Sequence, residues 1–164
     1  PDLYEALSGT EYLNFMADVY DVPLAERKRR TKKYGEMFEM LDALHNPIKS
    51  YSHGMRQKLV IMGSLLHDPR VWILDEPMVG LDPHAAHFLK EEMRAHCKRG
   101  NTVFFSTHVL EVAERLCDRI GIIDNGRFVA EGSLEALRTK AESDGTLESI
   151  FLSLTERDGT LHHA

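Results

Sequence analysis

Apolar residues keep a helical spacing through the first fifty positions, then alternate between helical stripes and short apolar runs. Leu13, Met16 and Tyr20 fall on one face, behind a Thr10 suited to cap a helix, and Pro23 breaks the chain. Tyr34, Met37, Leu41 and Leu44 follow at intervals of 3, 4 and 3, which predicts a second, longer helix closed by Pro47. Met55, Leu59, Met62 and Leu66 mark a third helix that begins at or just inside YSHGM (51–55). The pattern changes there. VWIL (71–74) is too short for a helix and reads as a buried strand. Asp82-Pro83 opens a helix with Ala86, Leu89, Met93 and Cys97 facing inward and Gly100 as its stop. A strand over 102–106 and a helix over about 109–117 follow. Next come a hairpin over 119–131 turning at Asn125-Gly126, a helix capped by Ser133 and a short helix over 146–154. Strand–helix–strand–helix order predicts an α/β fold, with a mainly parallel sheet flanked by helices behind a helical N-terminal part.

Composition narrows the class. At 164 residues, the chain suffices for one domain, or one domain with a lobe. The longest apolar runs, such as VFF (103–105) and IGII (120–123), fall far short of the ~20 residues of a membrane span. A net charge of −6 argues against general affinity for nucleic acid. Cys97 and Cys117 have no C-x-x-C spacing, so a disulfide framework or a zinc site is not expected, and a reducing cytoplasm is the simplest setting. No signal peptide is visible, and a first residue of Pro1 suggests a fragment or a processed product.

Three places carry chemistry. Asp75 and Glu76 end the strand 71–74, at the carboxyl edge where open α/β sheets bind ligands. One carboxylate can hold Mg²⁺ that bridges nucleotide phosphates, and its neighbour can act as general base toward water. Ser52 and Gly54 open a helix and offer a hydroxyl, backbone N–H groups and the positive end of a helix dipole to an anion. His108 follows the strand 102–106 and should share the sheet edge with Asp75, within reach of a phosphate or the attacking water. Taken singly, each has a plainer explanation: a solvated strand end, an ordinary cap, a structural histidine. The order of all three does not. RKRRTKK (27–33), the one basic run, reads as a solvated helix face, with anionic lipid or a membrane partner as the sharper alternative.

Together these motifs resemble the nucleotide-binding subunit of an ATP-binding-cassette transporter. YSHGMRQK (51–58) resembles the family signature LSGGQ, WILDEP (72–77) its Walker B strand, GLDP (80–83) its D-loop and STH (106–108) its switch histidine. DLYEALSGTEYL (2–13) resembles the stretch after the family's Q-loop, and TLESIFLSLT (146–155) its C-terminal helix. The resemblance implies a P-loop NTPase-like core, with residues 1–68 as a helical subdomain and 69–164 as the C-terminal part of the core. It implies Mg²⁺ at Asp75, a catalytic base at Glu76 and a γ-phosphate contact at His108. Ser52 and Gly54 would face the ATP of a second subunit in a head-to-tail dimer, and Asp82 would link the two composite sites. The implied partners are that second subunit and a transmembrane permease, at the cytoplasmic face of the cell membrane.

Two departures qualify the match. His53 stands where the signature has glycine, and Met55 where it has glutamine; YSHGM resembles variants of bacterial export-type ATPases. No G-x-x-x-x-G-K-S/T phosphate loop occurs in the 164 residues, nor the adenine-stacking aromatic and Q-loop glutamine that lie upstream in the family. The N-terminal part of the usual domain is therefore expected to be missing. These residues alone are expected to bind ATP poorly and hydrolyse it negligibly, whereas the intact protein is expected to be an ATPase. Two other readings stay open: a non-transport ATPase of the same family acting on ribosomes or DNA, and a non-enzymatic remnant or binding module.

Overall fold

A computed structural model describes residues 4–160, with side-chain surroundings through Thr155. They fall into two compact units, one ending at Ser106 and the other beginning at Thr107.

The first unit begins with helix α1 (Gly9–Val19). Its cap is Ser8 rather than Thr10. Ser8 Oγ accepts from the Glu11 N–H at 3.2 Å while a Glu11 carboxylate oxygen accepts from the Ser8 N–H at 2.7 Å. This reciprocal box satisfies two helix-end donors at once, and a leucine three residues after Thr10 offers no such return bond. The buried face of α1 is Tyr12, Leu13 and Ala17. Tyr20, expected on that face, is exposed and stacks on His67 at 3.8 Å between ring centroids.

Helix α2 (Leu24–Met37) stops seven residues before Leu44. Glu39 turns left-handed (φ 55°), and residues 41–43 form a single 3₁₀ turn. The reason is local. A Cβ on Gly35 would lie 2.4 Å from Leu41 Cδ2, so Leu41 folds back into the gap that Gly35 leaves. Phe38 and Met40 are fully buried at the resulting corner. The basic run is largely neutralised within this unit: Arg27 pairs with Asp18, Arg29 and Arg30 with Glu26, Lys32 with Glu36 and Lys33 with Glu92.

Helix α3 (His53–Leu65) starts as expected, with Ser52 Oγ accepting from the Met55 N–H at 3.2 Å. Strand β1 (Val71–Leu74), helix α4 (Pro83–Lys98) and strand β2 (Thr102–Phe105) complete the unit. The two strands pair in parallel, with Val71 opposite Thr102 and Leu74 opposite Phe105. β1 is buried on one face only. Trp72 and Leu74 point into the core, whereas Val71 and Ile73 are 55% and 70% exposed. Strand side chains alternate faces, and within the described residues only one face of this sheet is packed.

On α4 the buried stripe is Ala85, Leu89, Glu92, Met93 and His96; Ala86 is half-buried and Cys97 exposed. An apolar spacing passes over both Glu92 and His96; His96 Nδ1 lies 3.0 Å from the Arg99 guanidinium, and the burial of Glu92 is made tolerable by charge. Glu92 takes the Lys33 ammonium at 2.9 Å and the Arg99 guanidinium at 3.4 Å. Beside this group, burial and the Glu92 carboxylate push the Tyr34 hydroxyl up to about 12.

The second unit holds α5 (Leu110–Leu116), an antiparallel hairpin of β3 (Ile120–Asp124) and β4 (Arg127–Gly132), α6 (Leu134–Ala141) and α7 (Leu147–Thr160). Asn125 (φ 45°) and Gly126 (φ 75°) make the expected two-residue turn, and Ser133 caps α6 through the Ala136 N–H. α7 runs past the expected 154 to Thr160. Its Leu147, Ile150 and Leu154 pack with Ile122, Ala130 and Leu137 in one core, and Glu114 accepts from the Leu147 N–H at 3.0 Å. No described helix is long and apolar enough to cross a membrane.

Candidate functional site

The register of β1 on β2 builds the first half of the site. Leu74 pairs with Phe105, so the next residues along, Asp75 and Ser106, end the two strands side by side. Ser106 Oγ donates to Asp75 Oδ1 and accepts from the Glu76 N–H at 2.9 Å. One hydroxyl thus ties the side chain of the first acid to the backbone of the second. Glu76 adopts a left-handed backbone (φ 44°), so its departure from Asp75 comes from this turn and not from strand alternation. A non-glycine residue held there costs about 1–3 kcal/mol, and such positions cluster at functional sites. Asp75 is exposed and Glu76 half-buried.

Ser106 carried no role in the sequence reading, although STH contains it. The signal was register: a hydroxyl residue at the end of a parallel neighbour strand falls opposite the first acid. Ser106→Ala should cost about 1 kcal/mol of stability, since it removes a charge-assisted hydrogen bond and a backbone tie together. Denaturant midpoints check this; a wild-type midpoint would mean that the bridge organises nothing.

The signature turn forms the second half. Ser52 caps α3, and the first-turn amides there, His53 and Gly54 included, have no acceptor within the helix. Gly54 is needed for close packing. A Cβ on it would lie 2.5 Å from the Gly80 carbonyl oxygen, so the turn sits flush on the loop that follows the acid pair. Gly80 has φ +80°, and a Cβ there would meet the His53 ring at 2.4 Å. Asp82 closes the loop. Its Oδ1 accepts from the Ala85 N–H at 2.8 Å to cap α4, and its Oδ2 takes the Lys58 ammonium at 2.7 Å.

The Lys58 ammonium, then the Ala85 amide, hold the Asp82 carboxyl down to about 2. A depressed carboxyl contributes stability above its unfolded value near 4, and that contribution is lost as pH falls through the folded value. Asp82→Asn should therefore lower the unfolding midpoint at pH 6, and the gap to wild type should close by about pH 2. A gap that stays constant with pH would remove the ion pair as its cause.

Asp75, Glu76, Ser52, Gly54 and Asp82 all belong to the first unit, gathered by β1, the start of α3 and the loop between β1 and α4. His108 belongs to the second unit, exposed in the bend before α5 and two residues beyond Ser106.

The first unit is thus an α/β core in which a parallel strand pair ends in a serine-bridged acid pair, in the same unit as a capped helix start. Comparison with known proteins specifies the family. A family profile described as "ABC transporter" matches residues 4–79. The ABC-type transporter ATP-binding protein EcsA of Bacillus subtilis (strain 168) is 38% identical over 96% of this chain and 64% of its own length. The Nod factor export ATP-binding protein I of Ralstonia nicotianae (strain ATCC BAA-1114 / GMI1000) is 37% identical over 79% of this chain and 40% of its own. A solved structure titled "Structure of ATP binding subunit of ABC transporter" superposes with a TM-score of 0.91 at 36% identity, over 94% of this chain and 65% of that one. The chain belongs to the ABC transporter ATP-binding family and has its P-loop NTPase-like fold. It spans less than two thirds of the length of these relatives.

Proposed function

We propose that the protein is an ATP-hydrolysing subunit of an ABC transporter, coupling turnover to export across a membrane. The observation that carries this is the Asp75–Ser106–Glu76 bridge at the end of parallel strands, in one unit with the signature turn and Asp82. Export follows the printed role of the Nod factor relative and the YSHGM signature.

Glu76 is the general base toward water, and His108 contacts the terminal phosphate. Ser52 and Gly54 present hydroxyl and amide donors to the nucleotide of the partner subunit, and Asp82 links the two sites. The donors present fit Mg²⁺. Among the described residues no three His, Cys, Asp or Glu side chains gather into a protein-only cage, whereas magnesium takes one or two carboxylates and completes its shell with water and phosphate. Asp75 would hold it, with one oxygen already steadied by Ser106. When bound, the ion neutralises charge building on the phosphate oxygens.

On this reading residues 1–68 form the helical lobe and 69–164 the C-terminal part of the ATPase core. The lobe offers a docking surface for a permease: Tyr4, Phe15, Val19 and Leu24 are exposed, with Tyr4 and Phe15 in edge-to-face contact at 5.6 Å. The subunit would work at the cytoplasmic face of the membrane, as a head-to-tail dimer closed by ATP. The oligomeric state of a Glu76→Gln variant of the intact protein, with and without ATP, tests the reading. An ATP-dependent dimer supports it, and a monomer under both conditions overturns it.

A further inference from the structure

Lys58 has no part in the roles assigned above, yet it is the most heavily covered cation near the site. Its side chain is 14% exposed on α3, and its ammonium meets Asp82 Oδ2 at 2.7 Å. The other oxygen of that carboxylate is already committed to the Ala85 amide. One carboxylate therefore fastens two helices, α4 by its own cap and α3 through Lys58. Isolated surface ion pairs contribute little, because two long side chains must be ordered in water. This pair differs, since the lysine stem is packed and the aspartate is fixed as a cap.

Two further contacts join the same segments. Gln57 Nε2 donates to the Pro77 carbonyl at 3.4 Å, and the Gly54 and Gly80 backbones sit too close for any side chain between them. The loop's own backbone bonds are few: Val79 N–H to the Glu76 carbonyl at 3.1 Å and Leu81 N–H to the Met78 carbonyl at 3.3 Å. Its position is thus set from α3, at Gly54, Gln57 and Lys58. We infer that Lys58 is a positioning residue that holds the Gly80–Asp82 loop against the signature turn, so that Ser52, Gly54 and Asp82 move as one rigid piece.

The consequence for turnover rests on the function proposed above; the mechanical claim does not. Both are read in the intact protein, comparing Lys58→Met with Lys58→Arg. Lys58→Met should speed hydrogen exchange at the loop amides 79–82 about tenfold while exchange within α1 stays at wild-type rates. It should lower kcat about tenfold with KM for ATP nearly unchanged, because the loop is misplaced and ground-state binding is not. Lys58→Arg should restore both. Wild-type loop exchange or wild-type turnover in Lys58→Met, or failure of arginine to rescue, would overturn the inference. Should Lys58→Met not fold, Lys58→Gln carries the same comparison. The two claims separate cleanly: if the intact wild-type protein hydrolyses no ATP, the proposed function falls while loop exchange still decides the role of Lys58.

Discussion

Glu76→Gln in the intact protein should lower kcat for ATP hydrolysis by at least two orders of magnitude, roughly the contribution of a positioned general base. The substitution keeps side-chain size and removes only basicity. The backbone is expected to tolerate it, because the Glu76 N–H that donates to Ser106 is untouched and glutamine has no branched Cβ to resist a left-handed turn. ATP affinity should be retained, so the variant should accumulate as an ATP-closed dimer. Rates by phosphate release and mass by light scattering check the two halves separately. Wild-type turnover would remove Glu76 from its role.

Trp72→Ala should destabilise the chain by about 3–5 kcal/mol, the range for deleting a buried aromatic side chain. Trp72 is 1% exposed on the packed face of β1. Its indole N–H donates to Ser64 Oγ at 2.9 Å, and its ring lies 5.6 Å from that of His96. Deleting it leaves a void between β1, α3 and α4 and strips the Ser64 hydroxyl of a donor. Against a total stability of about 5–15 kcal/mol, that loss threatens the fold itself. β1 also sets the register that brings Asp75 beside Ser106, so activity should fall with stability. Trp72→Phe should recover most of the volume and cost about 1–2 kcal/mol for the lost hydrogen bond. Circular dichroism in denaturant is the suitable probe, because Trp72 is the single tryptophan and its fluorescence goes with it. A loss under about 1 kcal/mol for Trp72→Ala would mean that the site collapses around the void.

Local chemistry made much of this protein legible in its sequence. Ser52, Asp82 and Ser133 read as caps and are caps, because a short oxygen side chain before a helix answers donors that are always there. Asn125-Gly126 read as a hairpin turn because few residue pairs accept two positive φ angles in succession. The strand ending in Asp75 and Glu76, the helix start at Ser52 and the strand leading to His108 were likewise visible, and with them the family. Where two local signals competed, the reading failed. Thr10 lost the cap to Ser8, because Glu11 completes a box with Ser8 alone.

Sequence by itself determined which elements form, in what order, and which residue types stand at their ends. Those features rest on interactions within a few residues, where side-chain shape and backbone donors decide the outcome alone. Tertiary structure decided the rest. The burial of Glu92 depended on a lysine 59 positions away. The bridging role of Ser106 came from a strand register, and the packing role of Gly54 from the carbonyl of Gly80 pressed against it. No periodicity reports these, because each needs two segments distant in the chain to touch. The acid pair and the signature turn were legible separately; that one loop locks them together, with Lys58 against Asp82, became visible only once the chain had folded.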